Sequence, residues 1–302
     1  MPALNEGEIV SCVVRISNVA RKKDKNQKDF YSLTIDDGKE KTQAYLWDTS
    51  IFDLKSGQTL WMKCKFGRFG EKQKFDIIDV RETKEKLKLP GITDDERIRY
   101  TARFNELLDM IKDPDYRVAM DCIFADPDLW EMFSWAPAAT GNHEAYQGGL
   151  LKHTTEVVER CIDEYNRNPL NLNLSLLISG AMMHDFGKVV EYQWEDCFDR
   201  TTPGKLVGHI QIANIMLGRK LPDDFPKDKA MLIYHLIISH QGQKDWGSPI
   251  EPRTKEALVL HYADMMRSYT AHFDEICEKS GDKEWSDYDN TFKRPWYLHS
   301  NK

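Results

Sequence analysis

No apolar run in the 302 residues approaches the ~20 that a membrane-spanning helix needs, so no membrane partner is expected. The opening Met1-Pro-Ala-Leu-Asn-Glu lacks the basic and apolar regions of a secretory signal, and a cytoplasmic location is expected. The six cysteines, at 12, 64, 122, 161, 197 and 277, form no C-x-x-C pair. That spacing argues against a zinc ribbon or a disulfide frame and for scattered reduced thiols. Internal repeats and low-complexity segments are missing as well. So is any basic excess: the net charge is −7, which at first counts against a nucleic-acid partner. Divided by region, the charge reads differently. Residues 1–82 hold fifteen Lys and Arg against thirteen Asp and Glu, a balance of +2, so the other 220 residues carry −9. The whole-chain charge therefore hides a mildly basic first part.

What remains is an ordinary globular composition, 41% hydrophobic and 30% charged. The length leaves room for two domains, since single cores stop growing near ~250–300 residues. From Gly7 to about Val80 the chain alternates and favours β-branched and aromatic residues, with strands expected near 8–19, 29–36, 42–48, 58–68 and 74–81. Arg21–Lys28, Asp36–Lys39, Asp53–Gly57 and the Gly70 turn break them. Five short strands suit a small closed barrel, with the OB fold first and an SH3-like barrel as the alternative. Phe30, Tyr31, Tyr45, Trp47, Trp61, Phe66, Phe69 and Phe75 lie amid Lys and Arg. Most should fill the interior, but two or three exposed rings would form a stacking platform for single-stranded nucleic acid. Trp47 and Phe69, both beside turns, are the expected substrate contacts.

Residues 83–95 are charged and then broken by Pro90-Gly91, as a linker would be. Thr93-Asp-Asp-Glu96 opens a helix expected to reach about Ile111, and a second is expected from Asp115 to Phe133. The rest is helical in period to about Ser280, apart from a polar patch at 192–204 that suits a short hairpin. Ile178-Ser-Gly-Ala-Met-Met-His184-Asp185-Phe-Gly187-Lys188 begins as an apolar helix and ends on imidazole, carboxylate and ammonium. Neighbouring helical residues point about 100° apart, so His184 and Asp185 can share one ion only near a common buried edge. Gly187 would stop or bend the helix there, and Lys188 would put a positive charge at the mouth. His153 starts another helical stretch, His209 follows Gly208, His240 ends the apolar run from Leu232, and Asp264 sits in a helix of roughly twenty residues. Imidazole and carboxylate from separate helices are how a bundle builds a transition-metal site. Singly, each His reads more simply as a core or surface histidine.

Gly148-Gly-Leu-Leu-Lys-His153-Thr, Gly180-Ala-Met-Met-His184-Asp-Phe-Gly-Lys188, Gly204-Lys-Leu-Val-Gly-His209, Ile238-Ser-His240-Gln-Gly, Trp246-Gly-Ser-Pro249 and Leu260-His-Tyr-Ala-Asp264 stand in that order. Together they resemble the HD metal-dependent phosphohydrolase superfamily and, more closely, the YhaM-type 3′-to-5′ exoribonucleases. The resemblance covers nearly the whole chain. It implies a multidomain protein: an all-β OB-type barrel over 1–82, a linker over 83–95, and an all-α HD helical bundle over 96–302. It further implies one metal ion on His153, His184, Asp185 and Asp264, with His209 and His240 adding a second ion bridged by Asp185. Asp185 and Lys188 would be catalytic, Lys188 also meeting the phosphoryl group beside His143 and Arg267. The divalent ion is expected to be Mn²⁺, with Co²⁺, Fe²⁺, Ni²⁺ or Zn²⁺ as alternatives, in one or two copies. Single-stranded RNA or DNA is the expected partner, and a homo-oligomer is left open.

Two positions depart from that family. Many relatives have a second His after the one at 240, where this chain has Gln241, a poorer transition-metal ligand. Arg267 replaces an acidic residue common shortly after the metal Asp. His235, His261, His272 and His299 are expected to be structural. Three activities stay open: a 3′-to-5′ exonuclease, an HD phosphohydrolase of nucleotides or cyclic nucleotides, and a non-catalytic single-strand-binding protein.

Overall fold

The computed structural model describes residues 4–38, 41–69, 72–87, 89–140, 145–194 and 198–298, with backbone alone at 69 and 72. His143 and His299 lie outside the described residues, as does the side chain of Phe69. The chain divides into two compact units, Met1–Pro90 with Gln193–Asp199, and Gly91–Tyr192 with Arg200–Lys302.

In the first unit, alternation builds a barrel. Strands β1 (Ile9–Lys23), β2 (Asp29–Asp36), β3 (Lys41–Leu46), β4 (Thr59–Phe69) and β5 (Lys72–Glu82) close in the order β1-β2-β3-β5-β4. β4 returns to β1 antiparallel, and β3 meets β5 in parallel. That is the partly Greek-key barrel of the OB fold. Successive strand side chains face opposite sides. Val14, Ile16, Tyr31, Leu33, Ile35, Ala44, Leu46, Met62, Phe66, Phe75 and Ile77 therefore form one apolar core. A register shift between Ser17 and Ala20 bends β1, and Asn18 takes a positive φ of 52° there. β1 consequently runs four residues beyond its expected end, pairing through Lys23 with Asp29.

The second unit is helical. Thr93 and Glu96 form a capping box at the start of α1 (Asp94–Leu108). The helix expected over 115–133 is two, α2 (Pro114–Phe124) and α3 (Pro127–Trp135). Asp126 caps α3 by accepting from the backbone of Asp128 and Leu129, and Pro127 at its start cannot continue α2. Then come α4 (Gly149–Arg167), α5 (Leu174–Met183), α6 (Lys188–Glu191), α7 (Thr202–Leu206), α8 (His209–Lys220), α9 (Lys227–Ser239) and α10 (Lys255–Ser280). Between α6 and α7 the short strands β6 (Tyr192–Gln193) and β7 (Asp199–Arg200) pair where the chain leaves this unit and returns to it.

α5 is the spine. It is apolar on every side, Ser175 to Met183 are all buried, and it packs against α2, α4, α9 and α10. Gly148 precedes α4 at φ +80°, a backbone region favouring glycine, and a Cβ there would come within 2.6 Å of the Ile92 side chain. Phe104, Phe124, Phe133 and Phe186 pack into an aromatic cluster that seats the turn after α5. Among the described residues, no helix is long and apolar enough to cross a membrane. Cys12, Cys64, Cys122, Cys161 and Cys277 are free thiols, and burial pushes Cys64 up to about 12.

Candidate metal centre

α5 ends one residue before His184, which keeps helical angles as its C-cap, and the chain turns through Asp185, Phe186 and Gly187. Gly187 does not bend the chain by its own freedom, for its φ is −60°. Its missing Cβ admits the start of α8: an added Cβ would lie 2.0 Å from the His209 carbonyl oxygen. The first residue of α8 is thereby brought against the end of α5.

The imidazoles are aimed by their second nitrogens. His184 Nδ1 lies 2.7 Å from the Ala181 carbonyl, and His240 Nδ1 lies 2.7 Å from that of Ile237. A carbonyl only accepts, so each ring carries its proton on Nδ1 and turns a bare Nε2 inward. His209 Nδ1 lies 2.7 Å from Glu191 Oε2, a contact that spacing in the sequence did not signal.

The inward atoms form two groups that share Asp185. In the first, His153 Nε2 and His184 Nε2 are 3.3 Å apart, at 3.5 and 3.4 Å from Asp185 Oδ2. Asp264 Oδ1 joins them, 3.2 Å from His153 Nε2 and 3.9 Å from His184 Nε2. In the second, His209 Nε2 and His240 Nε2 stand 3.4 and 3.7 Å from Asp185 Oδ1. Helices α4, α8 and α10 and the ends of α5 and α9 thus bring together all six residues singled out as metal ligands.

The donor set suits a divalent transition metal. Asp185 Oδ1 and His209 Nε2 are both buried without a hydrogen-bond partner. Leaving a carboxylate oxygen and an imidazole lone pair dry and unpaired is costly, and a cation between them would relieve both. His153, His184, Asp185 and Asp264 could hold one ion, and Asp185, His209 and His240 a second.

Burial alone would raise the Asp185 carboxyl, but the Lys188 ammonium holds it well below the carboxylate range. Burial likewise pushes Asp264 up, and the His153 hydrogen bond overrides it and lowers the group. Desolvation depresses His240 to about 4. Its ring is therefore neutral at pH 7 and able to bind a metal.

Lys188 is not at an open mouth. Its Nζ donates to Asp185 Oδ2 at 2.6 Å, and its side chain is only 13% exposed. Burial would lower its ammonium, but the Asp185 carboxylate outweighs that and keeps it charged. Gln241 has its side-chain amide 3.0 Å from His240 Nε2, where it donates to the ring lone pair.

Arg267 does not present itself as a phosphate contact. It is buried, and its Nε donates to Glu156, which also accepts from the Tyr100 hydroxyl at 2.7 Å. The Glu156 carboxylate is thus a partner of the guanidinium that the sequence assigned to phosphate. Of the histidines read as structural, His235 Nε2 accepts from the Arg253 backbone and His261 Nδ1 faces the His240 carbonyl at 2.8 Å.

On the barrel, Tyr31, Phe66 and Phe75 are buried, as alternation requires. Trp47 is 48% exposed and anchored through Nε1 to Asp76 Oδ1 at 2.8 Å. It stacks on Phe30 at 4.8 Å and Tyr45 at 5.8 Å between ring centroids, two rings that the sequence did not separate from core aromatics. Both face outward because Phe30 and Tyr45 alternate with the buried Tyr31, Ala44 and Leu46.

Comparison with known proteins places this geometry in context. The HD domain model matches residues 150–267, which include every candidate ligand. A 3′-5′ exoribonuclease named YhaM, from Geobacillus sp. (strain WCH70), is 28% identical over 290 residues, 90% of this chain and 86% of that one. Among solved structures, the mitochondrial single-stranded DNA binding protein Rim1 of S. cerevisiae matches 26% of this chain and 99% of its own, at 12% identity and TM-score 0.23. The second OB-fold domain of replication protein A from Methanococcus maripaludis matches 28% and 90%, at 14% identity and TM-score 0.21. Residues 150–267 match the HD domain model and follow a five-stranded barrel in the sequence, in a chain that is similar along 90% of its length to a 3′-5′ exoribonuclease.

Proposed function

We propose that this protein is a metal-dependent 3′-to-5′ exonuclease that hydrolyses the phosphodiester bonds of single-stranded RNA, and DNA as a second substrate. The observation that carries the reading is the shared Asp185, with one oxygen facing His153 and His184 and the other, unpaired, facing His209 and His240. The exoribonuclease relative sets the substrate class. Mn²⁺ is the proposed ion, and the enzyme is taken to be cytoplasmic.

Divalent ions held by His153, His184, Asp185, Asp264, His209 and His240 would supply Lewis acidity, lowering the pKa of water and neutralising charge at phosphorus. The chain's own residues do the rest. Asp185 stays ionised because Lys188 sits on it. His184 and His240 are held in one tautomer by backbone carbonyls, so their lone pairs stay inward at no reorganisation cost. Lys188 balances the carboxylate charge beside the ligand groups, and its ammonium would neutralise charge on a phosphoryl oxygen brought there. Phe30, Tyr45 and Trp47 give the barrel a face on which bases can stack. In this division of labour residues 1–82 grip the strand, 96–302 cleave it, and 83–95 join the two.

Incubation with Mn²⁺ and 5′-labelled RNA, DNA, nucleotides and cyclic nucleotides tests the proposal. Stepwise shortening of RNA from its 3′ end, releasing nucleoside 5′-monophosphates, is expected. Hydrolysis confined to nucleotides would refute it in favour of an HD nucleotide phosphohydrolase.

A further inference from the structure

His209 differs from His184 and His240 in what steadies it. Those two rings rest on backbone carbonyls three residues earlier. His209 Nδ1 instead meets a side-chain carboxylate, Glu191 Oε2, at 2.7 Å. Glu191 is 2% exposed, a rare depth for a carboxylate whose chain neighbours are apolar. Its position is set from several directions. Thr201 donates its backbone N–H to the Glu191 carbonyl at 2.9 Å and its hydroxyl to the Val190 carbonyl at 2.7 Å. Gly204 closes on the same carbonyl so tightly that a Cβ would come within 2.3 Å of it. Arg200 reaches the other carboxylate oxygen, Oε1, from β7 at 3.5 Å.

The second ligand group needs such support. His240 Nε2 already accepts from the Gln241 amide, so an ion must displace that hydrogen bond to reach it. His209 Nε2 has no such competitor, being buried and without a partner. A carboxylate on Nδ1 fixes the proton there, points Nε2 at Asp185 Oδ1 and makes the ring a stronger electron donor.

We propose that Glu191 is the positioning residue of the second ion position, setting that ion's affinity through His209 and compensating for Gln241 beside His240. This rests on the two-ion reading above.

The test is Mn²⁺ binding to the full chain without substrate, measured by equilibrium dialysis and by the free-ion electron paramagnetic resonance signal. Wild type is expected to take two ions. Glu191→Gln, which keeps the size and loses the charge, should leave the first affinity unchanged and weaken the second by about 10–100-fold, the usual cost of removing such a partner. Glu191→Leu should weaken it further, and His209→Ala should abolish it. A wild type with two ions and a Glu191→Gln variant with the same two affinities would overturn the inference while leaving the two-ion reading intact. A wild type that takes one ion would overturn both. Nitrogen-15 imidazole shifts of the metal-free wild type give a second readout that needs no variant to fold. His209 is expected to carry its proton on Nδ1, and a proton resident on Nε2 would overturn the proposal.

Discussion

The two units handle polarity in opposite ways. All nine histidines follow residue 90, and the barrel interior is apolar; Ser32, the one buried polar side chain of the barrel strands among the described residues, alternates with the interior Tyr31 and Leu33. Three of the barrel's aromatic rings, Trp47, Phe30 and Tyr45, stack on one another facing outward. The helical unit does the reverse: His153, His184, Asp185, Glu191 and His240 are buried in its core. On the proposed function, the difference follows from the task of each surface. A base stacks only on a face that solvent can reach, whereas metal-ligand groups must be dry, oriented and shielded from protons. The cost of that burial is borne by Lys188, by backbone carbonyls and by whatever cation the two unpaired atoms face.

If that contrast is sound, changes in the two units should separate cleanly. A large effect is expected from His184→Ala, which removes a candidate ligand beside Asp185 and His153. Hydrolysis should fall by about a thousandfold or more, over 4 kcal/mol of transition-state stabilisation, while RNA binding measured without turnover stays near wild type. An equal loss of RNA binding would break the separation.

Acid comes next. His240 has a folded value of about 4 against 6.5 when free, so below pH 6.5 the unfolded chain takes a proton that the folded chain refuses. Stability present above pH 6.5 is therefore lost as the pH falls toward 4, by about 3 kcal/mol for this group in metal-free protein. Asp185 and Asp264, both depressed, extend the loss at still lower pH. Thermal unfolding followed by circular dichroism at 222 nm, from pH 7.5 to 4, should show it. A flat helical melting temperature across that range would contradict the burial of a neutral His240.

Gly187→Ala should cost about 1–3 kcal/mol by overpacking, since the new Cβ meets the His209 backbone. It should weaken metal binding on the His209 side before the His153 side, as read by metal titration. Trp47→Ala is the smallest. Losing one stacked base, worth about 1–3 kcal/mol, should raise KM for long RNA by roughly 5–150-fold and leave a chromogenic phosphodiester unchanged. Equal loss on both substrates would mean that Trp47 supports the fold rather than the strand.

Much of this was legible in the sequence, for identifiable reasons. Alternation placed β2 at 29–36, where it is found, because one barrel face is buried and the register is forced. The bulge at Asn18 was not legible, so β1 ran longer than its apolar pattern. Helical periodicity ran on through Ala125, hiding the break that the Asp126 cap and Pro127 impose. The candidate ligands at 153, 184, 185, 209, 240 and 264 are too far apart for local spacing to join them. Only the ordered set of motifs did so. Burial was the least readable quantity. It turned Lys188 from a charge at the mouth into the partner of Asp185, and Arg267 into the partner of Glu156. Glu191 had no signature beyond an acidic residue at the end of an apolar helix turn.

Asp185 is where the two ligand groups meet, and Asp185→Ala is the most direct test. Purified wild type and variant would be compared for bound Mn²⁺ and for shortening of labelled RNA, with circular dichroism confirming the fold. The expected result is a folded protein with no detectable hydrolysis and neither ion retained. A folded Asp185→Ala protein that still shortens RNA at the wild-type rate would contradict the metal centre described here.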